Sequence, residues 1–339
     1  MTADILSWVL LLAIAAYACG GGVDYGAGFW DLLAGGAARG RRPRWLIDHA
    51  MAPVWEVNNV WLVFVLVLMW TGFPDFFQTV FTALWLPLAL AAVGMVLRGA
   101  GFALRKPTRR LAARRVYGAV FAVASLLTPF FLGTVIGSVA SGRVKPGTVA
   151  SADAWANPTS IVAGLLAVCA TAVLGAVFLS ADARRFGAHD LVGYFALRAR
   201  IAVAALVVVG AVGLAVTADD ASYVHHGLTH GWGLLLVLLS AASGAVTAVL
   251  VAGPALGWAR YSAVAAVALA VGAWGVAQRP YLVPTSLTVQ DAAGASATLQ
   301  WMLIVALVAL VLIGPAVTVL YRLDTRGVLE PLTDEDVTK

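Results

Sequence analysis

Apolar runs of about twenty residues, separated by short polar breaks, follow one another along the whole chain, near 5–33, 50–71, 76–104, 116–140, 160–180, 195–216, 232–252, 258–277 and 298–321. Twenty residues in a helix rise about 30 Å, the thickness of a bilayer's hydrocarbon core. The pattern predicts an all-α polytopic membrane protein with nine transmembrane helices. They form a single helical domain over 1–321, followed by a short polar tail, 322–339. The first run has no basic flank before it and no small-residue cleavage site after it, so it reads as a retained helix rather than a signal peptide.

Composition removes the alternative of two soluble domains: 61% of residues are hydrophobic and 12% charged, and mean hydropathy is +0.90. The charges that remain carry a direction. Odd-to-even connections hold "RGRRPR" (39–44), "RKPTRRLAARR" (105–115), Arg184, Arg185, Arg198, Arg200 and Arg260, and the tail adds Arg322, Arg326 and Lys339. Even-to-odd connections hold only Arg143, Lys145 and Arg279. Because cytoplasmic connections retain Lys and Arg, the amino terminus is expected outside and the carboxy terminus in the cytoplasm. The net charge of +5 is then an orientation signal with some attraction to anionic lipid, and it does not point to nucleic acid. No short-period repeat or low-complexity segment is visible.

Against this background a few polar residues stand out. In "MAPVWEVNNVWLVFVL" (51–66) the helix starts near Pro53, so Glu56 falls within its first turns, at the cytoplasmic end. Glu56, Asn59 and Val63 share one helical stripe, and Trp55, Asn58 and Leu62 another, so this helix addresses two neighbours. Glu56 has two readings. It complements the helix dipole while the asparagines bond across helices, or it belongs to a proton relay. Asp24 raises the same question in "CGGGVDYGAGFWDLL", whose glycines let another backbone approach. Asp31, seven residues on, is expected to reach the cytoplasmic surface. Arg98 lies about two turns from Arg105, close enough to snorkel or to pair with Asp24 or Glu56.

His225, His226 and His230 cluster in the outer connection 217–231, where His226 and His230 would share a face if it were helical; a solvated loop is the default and a metal site the minority reading. His49 and His189 sit beside cytoplasmic connections, so the chain offers no pair of axial haem ligands inside the membrane. Cys19 and Cys169 lie in apolar runs and read as packed thiols. No Walker loop or nucleophile constellation is present, which assigns any reaction to a partner.

Four segments in order, "VDYGAGFWDLL" (23–33), "APVWEVNNVWLVF" (52–64), "LRGAGFALR" (97–105) and "PYLVPTSLTVQDAA" (280–293), resemble blocks of subunit II of cytochrome bd-type quinol oxidases, more closely the cyanide-insensitive branch. The resemblance covers essentially the whole chain. It implies a bacterial cytoplasmic-membrane heterodimer that oxidises quinol and reduces O2 to water with cytoplasmic protons. Subunit I would hold the haems, of b and d type or of b type alone, and this chain no cofactor of its own. Small accessory subunits and a structural quinone, found in some members, are left open. The family's role for the acid after the tryptophan maps onto Glu56 as a proton-path residue, with Asp24, Asn58 and Asn59 as further candidates and Trp55 and Arg98 in support. Two departures qualify the transfer: Glu56–Val57 replaces the familiar Asp–Gly, and Gly21 stands where an acid often precedes the one matching Asp24. The rival classes are a secondary transporter and a purely structural membrane partner.

Overall fold

The computed structural model describes the backbone of residues 1–36, 39–50, 55–105, 108, 110–253 and 255–325, and side chains within this set except at 55–58, 111, 313, 317–318, 320–322 and 324–325. At the centre is α1 (Thr2–Leu32), which touches α3 (Trp55–Val67), α6 (Leu111–Ala140), α8 (Pro158–Arg185) and α12 (Leu256–Ala277). Three further pairings complete the bundle: α5 (Trp85–Arg105) with α6, α8 with α9 (His189–Asp220), and α11 (Gly231–Leu250) with α12. The last long helix is α13 (Ser296–Thr325). Among the described residues eight helices are long and apolar enough to cross a membrane, and a ninth candidate is a bent pair, Asn59–Gly72 with Pro74–Ala83.

That bent pair departs from the predicted spans. After α3 the chain makes a π-helical turn, Leu68–Gly72, then bends by 115° into α4 (Pro74–Ala83). Pro74 opens α4 at a position where its missing N–H costs nothing. The run predicted as one helix over 76–104 is consequently divided at Leu84 between α4 and α5. A second departure is α2 (Arg41–Ala50), an amphipathic helix in the basic connection, which buries Pro43, Leu46 and Ile47 and leaves its arginines at the rim. Two of the polar connections also acquire short helices, α7 (Ala152–Trp155) and α10 (Ser222–Thr229). In 278–298 an antiparallel hairpin forms from β1 (Tyr281–Val283) and β2 (Leu287–Thr288).

Lipid offers helices no hydrophobic reason to associate, so close backbone packing carries the contact. The α1–α8 crossing shows this most clearly: a Cβ at Gly26 would lie 1.9 Å from the Thr171 carbonyl oxygen and 2.7 Å from the Gly175 nitrogen. Both obstacles are backbone and cannot rotate away. Gly26→Val is therefore expected to force the helices apart at a cost above the usual overpacking range of about 1–3 kcal/mol. The check is the yield of monodisperse protein in detergent, which should fall sharply, whereas Gly244→Ala, with nothing within 4 Å of the added carbon, should match the parent.

Candidate functional site

The glycine-rich stripe of α1 also carries polar groups at seven-residue intervals. Tyr17, Asp24 and Asp31 fall on one face, each step about 10.5 Å along the axis. On α5, Arg98 and Arg105 are seven apart as well. The two series meet in order: Tyr17 Oη lies 3.8 Å from Met95 Sδ, Arg98 lies over the ring of Tyr25, and Arg105 bonds Asp31. Contacts that ascend together mean that α1 and α5 run parallel, so the acids and arginines form two tiers.

The tier nearer the basic end is an ion cluster. Asp31, only 3% exposed, accepts from Arg44 Nε at 2.7 Å through one carboxylate oxygen and from Arg105 Nη1 through the other. Arg105 also faces Asp48 of α2 at 3.4 Å, and Arg44 donates to the Gly35 carbonyl at 2.6 Å. This overturns the expectation that Asp31 reaches the surface: α2 folds back over the end of α1 and covers it.

One heptad deeper lie Asp24, 4% exposed, and Arg98, 7% exposed. Arg98 does not snorkel. Its Nε donates to Ser125 Oγ on α6 at 3.2 Å, and its guanidinium lies 4.8 Å from the Tyr25 ring centroid and 5.5 Å from that of Phe121. The hydroxyls of Tyr17 and Tyr25 are 3.0 Å apart, and both tyrosines lie within electrostatic reach of Asp24 and Arg98. Room for Ser125 exists because residue 28 is glycine: a Cβ there would sit 2.1 Å from Ser125 Oγ. Arg98 Nη2 is buried without an acceptor among the described residues.

The structure thus places Asp24 and Arg98 around the same pair of tyrosines. Within this chain Asn59 is exposed on α3, as are Val60, Val63 and Val67, while Val65 on the other side of the helix is buried. Glu56, Asn58 and Trp55 lie on the described helix, but their side chains fall outside the described residues. Tyr17, Tyr25, Ser125, Arg44 and Asp48 were not singled out from the sequence. The heptad echo 17–24–31 on α1 and 98–105 on α5 was the available signal for Tyr17.

At the opposite end, Arg279 Nη2 donates to Ser7 Oγ at 2.6 Å, its guanidinium stacks 4.1 Å from the Trp8 ring, and Gln290 Nε2 donates to Asp4 at 2.8 Å. Beside them Trp274 Nε1 and Gln278 Oε1, both without a protein partner among the described residues, belong to the lining of a cavity of about 40 Å³. Since one water needs about 10–15 Å³ by that measure and a dry cavity binding benzene is about 150 Å³, the space suits a few waters and not a quinone ring. His226 on α10 and His230 just past its end stack with centroids 4.2 Å apart, but among the described residues no three metal-binding side chains converge. His49 lies on α2, His189 at the start of α9, and His225 and His226 on α10.

A bundle of this shape recurs in a bd oxidase from Geobacillus thermodenitrificans, one chain of which superposes with a TM-score of 0.75 at 25% identity, covering 95% of this chain and 98% of that one. A family model described as cytochrome bd terminal oxidase subunit II matches residues 2–324. The chain belongs to that family. Among curated relatives, cytochrome bd ubiquinol oxidase subunit 2 of Bacillus subtilis is 25% identical over 137 residues, 40% of each chain. Cytochrome bd-I ubiquinol oxidase subunit 2 of Escherichia coli is 24% identical over 186 residues, 51% of this chain and 47% of that one. Each of these matches spans less than half of the relative's length. As a subunit II family member with eight to nine candidate spans, the chain is a multi-pass protein of the bacterial cytoplasmic membrane.

Proposed function

We propose that this chain is the haem-free subunit II of a bd-type terminal quinol oxidase, pairs with a haem-bearing subunit I, and supplies part of a cytoplasmic proton route. The complex oxidises quinol and reduces O2 to water, with the partner's haems supplying the electron transfer. By the positive-inside rule the end carrying Arg44, Arg105, Arg184 and Arg185 faces the cytoplasm. The observation that carries the reading is the second tier: Asp24, with Arg98 for company, lies buried beyond the ion cluster that already satisfies the helix ends. Asp24 lies about two turns in from the end of α1, so its insertion cost stays below the about 2.5–3.5 kcal/mol of a helix centre, but it is a cost a packing residue would avoid. In this scheme Glu56, in the first turn of α3, takes protons from cytoplasmic water and passes them to Asp24 on the adjoining α1. Asp31 anchors α1, α2 and α5 and moves no proton.

The test is a reduced-minus-oxidised visible spectrum of tagged protein purified gently from its native membrane, with the mass of whatever accompanies it. Haem bands travelling with a second membrane polypeptide are expected. A haem-free chain purified intact and alone would overturn the assignment.

A further inference from the structure

The polar stripe of α1 does not end at Asp24. We propose that the hydroxyl pair of Tyr17 and Tyr25, together with a water molecule held by Arg98, extends the proton route two helical turns deeper. This inference rests on the proton-delivery reading above. From Asp31 to Tyr17 the stripe covers about 21 Å of a hydrocarbon core about 30 Å thick. Tyr25 Oη and Tyr17 Oη stand at hydrogen-bond distance, 3.0 Å, and either can donate. A phenol that both accepts and donates passes a proton without keeping charge: as one O–H bond forms at Tyr25, its own proton leaves to Tyr17, whose proton leaves to a water molecule on its far side. Beyond Tyr17 lies Met95 Sδ at 3.8 Å, a weak acceptor that does not lock the hydroxyl.

Two further features belong to the same place. Arg98 Nη2 is a buried cationic donor with no protein acceptor among the described residues, and leaving such a donor dry costs more than binding a water. The water that accepts from Nη2 has its own two protons to donate, among Asp24, Tyr25 and their neighbours, and so joins the carboxylate to the phenols. Gly21 lies between the two rings: a Cβ there would come tightly, to 3.3 Å, on the Tyr17 ring and into ordinary contact, 3.5 Å, with that of Tyr25.

Tyr17→Phe and Tyr25→Phe keep both rings, and with them the packing and the Arg98 contact, while removing only the hydroxyls. In the purified complex, each is expected to retain haem content, lower O2 consumption per haem about tenfold and enlarge the solvent isotope effect in D2O. That loss is smaller than the hundredfold or more of a direct acid–base group, because water can bridge a missing hydroxyl. Unchanged turnover and isotope effect in both variants, with Asp24→Asn impaired, would overturn the extension and leave proton delivery standing. Full turnover in Asp24→Asn and Glu56→Gln as well would remove the proton-delivery reading and the extension with it. Loss of haem from either phenylalanine variant would assign the pair a structural role and equally overturn the extension.

Discussion

Asp31→Ala is expected to be the most damaging side-chain truncation in the chain. The carboxylate is 3% exposed and bonds two guanidinium groups, and the side chain of Arg105 is only 6% exposed. Removing the acid leaves a buried cation with Asp48, 3.4 Å away, as its remaining carboxylate partner, a change of the kind that costs about 3–5 kcal/mol. Because Asp31, Arg44, Asp48 and Arg105 come from α1, α2 and α5, the damage should appear as loss of monodisperse protein and a lowered Tm. The compensated variant Asp31→Leu/Arg105→Leu should recover much of the loss, since a buried ion pair replaced by apolar groups is often neutral. Arg44 survives that exchange: it is 31% exposed and keeps the Gly35 carbonyl. A surface pair provides the control. Arg42 and Asp190, 62% and 55% exposed, should tolerate Arg42→Ala at a cost of about 0–1 kcal/mol. Equal losses from Arg42→Ala and Asp31→Ala would mean that burial is not what gives the cluster its weight.

The contrast between these sites explains what could be read from the chain alone. Long apolar runs are legible because a bilayer demands them residue by residue, so most spans fall where hydropathy places them. Direction is not legible in the same way: the break at 72–75 separates the runs 50–71 and 76–104, but nothing in it shows that the chain turns by 115° there or that the second run is divided again at Leu84. The helix α2 escaped for a related reason, since "RRPRWLIDHA" is too short and too basic to register as anything but a connection. Burial of Asp31 depends on Arg44 and Arg105, thirteen and seventy-four residues away, which sequence distance conceals. Asp24 and Arg98 were legible because charge inside an apolar run is conspicuous by itself. Tyr17 and Tyr25 were not, since tyrosines in a membrane helix have an ordinary use at interfaces.

Asp24→Asn is the variant that separates a working acid from a structural one. Asparagine keeps the shape and a carbonyl acceptor but cannot cycle a proton, so the bundle around Arg98 and Ser125 should assemble with normal haem content. Oxygen consumption per haem is expected to fall by about a hundredfold or more, the usual contribution of a positioned proton-transfer group. Glu56→Gln should show the same signature. If both residues serve one route, the double variant should be little worse than the poorer single one, because a path already broken at one point loses nothing further at another. Losses that multiply would mean that the two residues act independently of each other and do not share one broken path. A structural role for Asp24 predicts the opposite division: haem content and Tm fall, while each complex that does assemble turns over normally. Normalising turnover to haem therefore decides the matter, since proton delivery acts on the rate of the assembled enzyme and packing acts on how much of it there is.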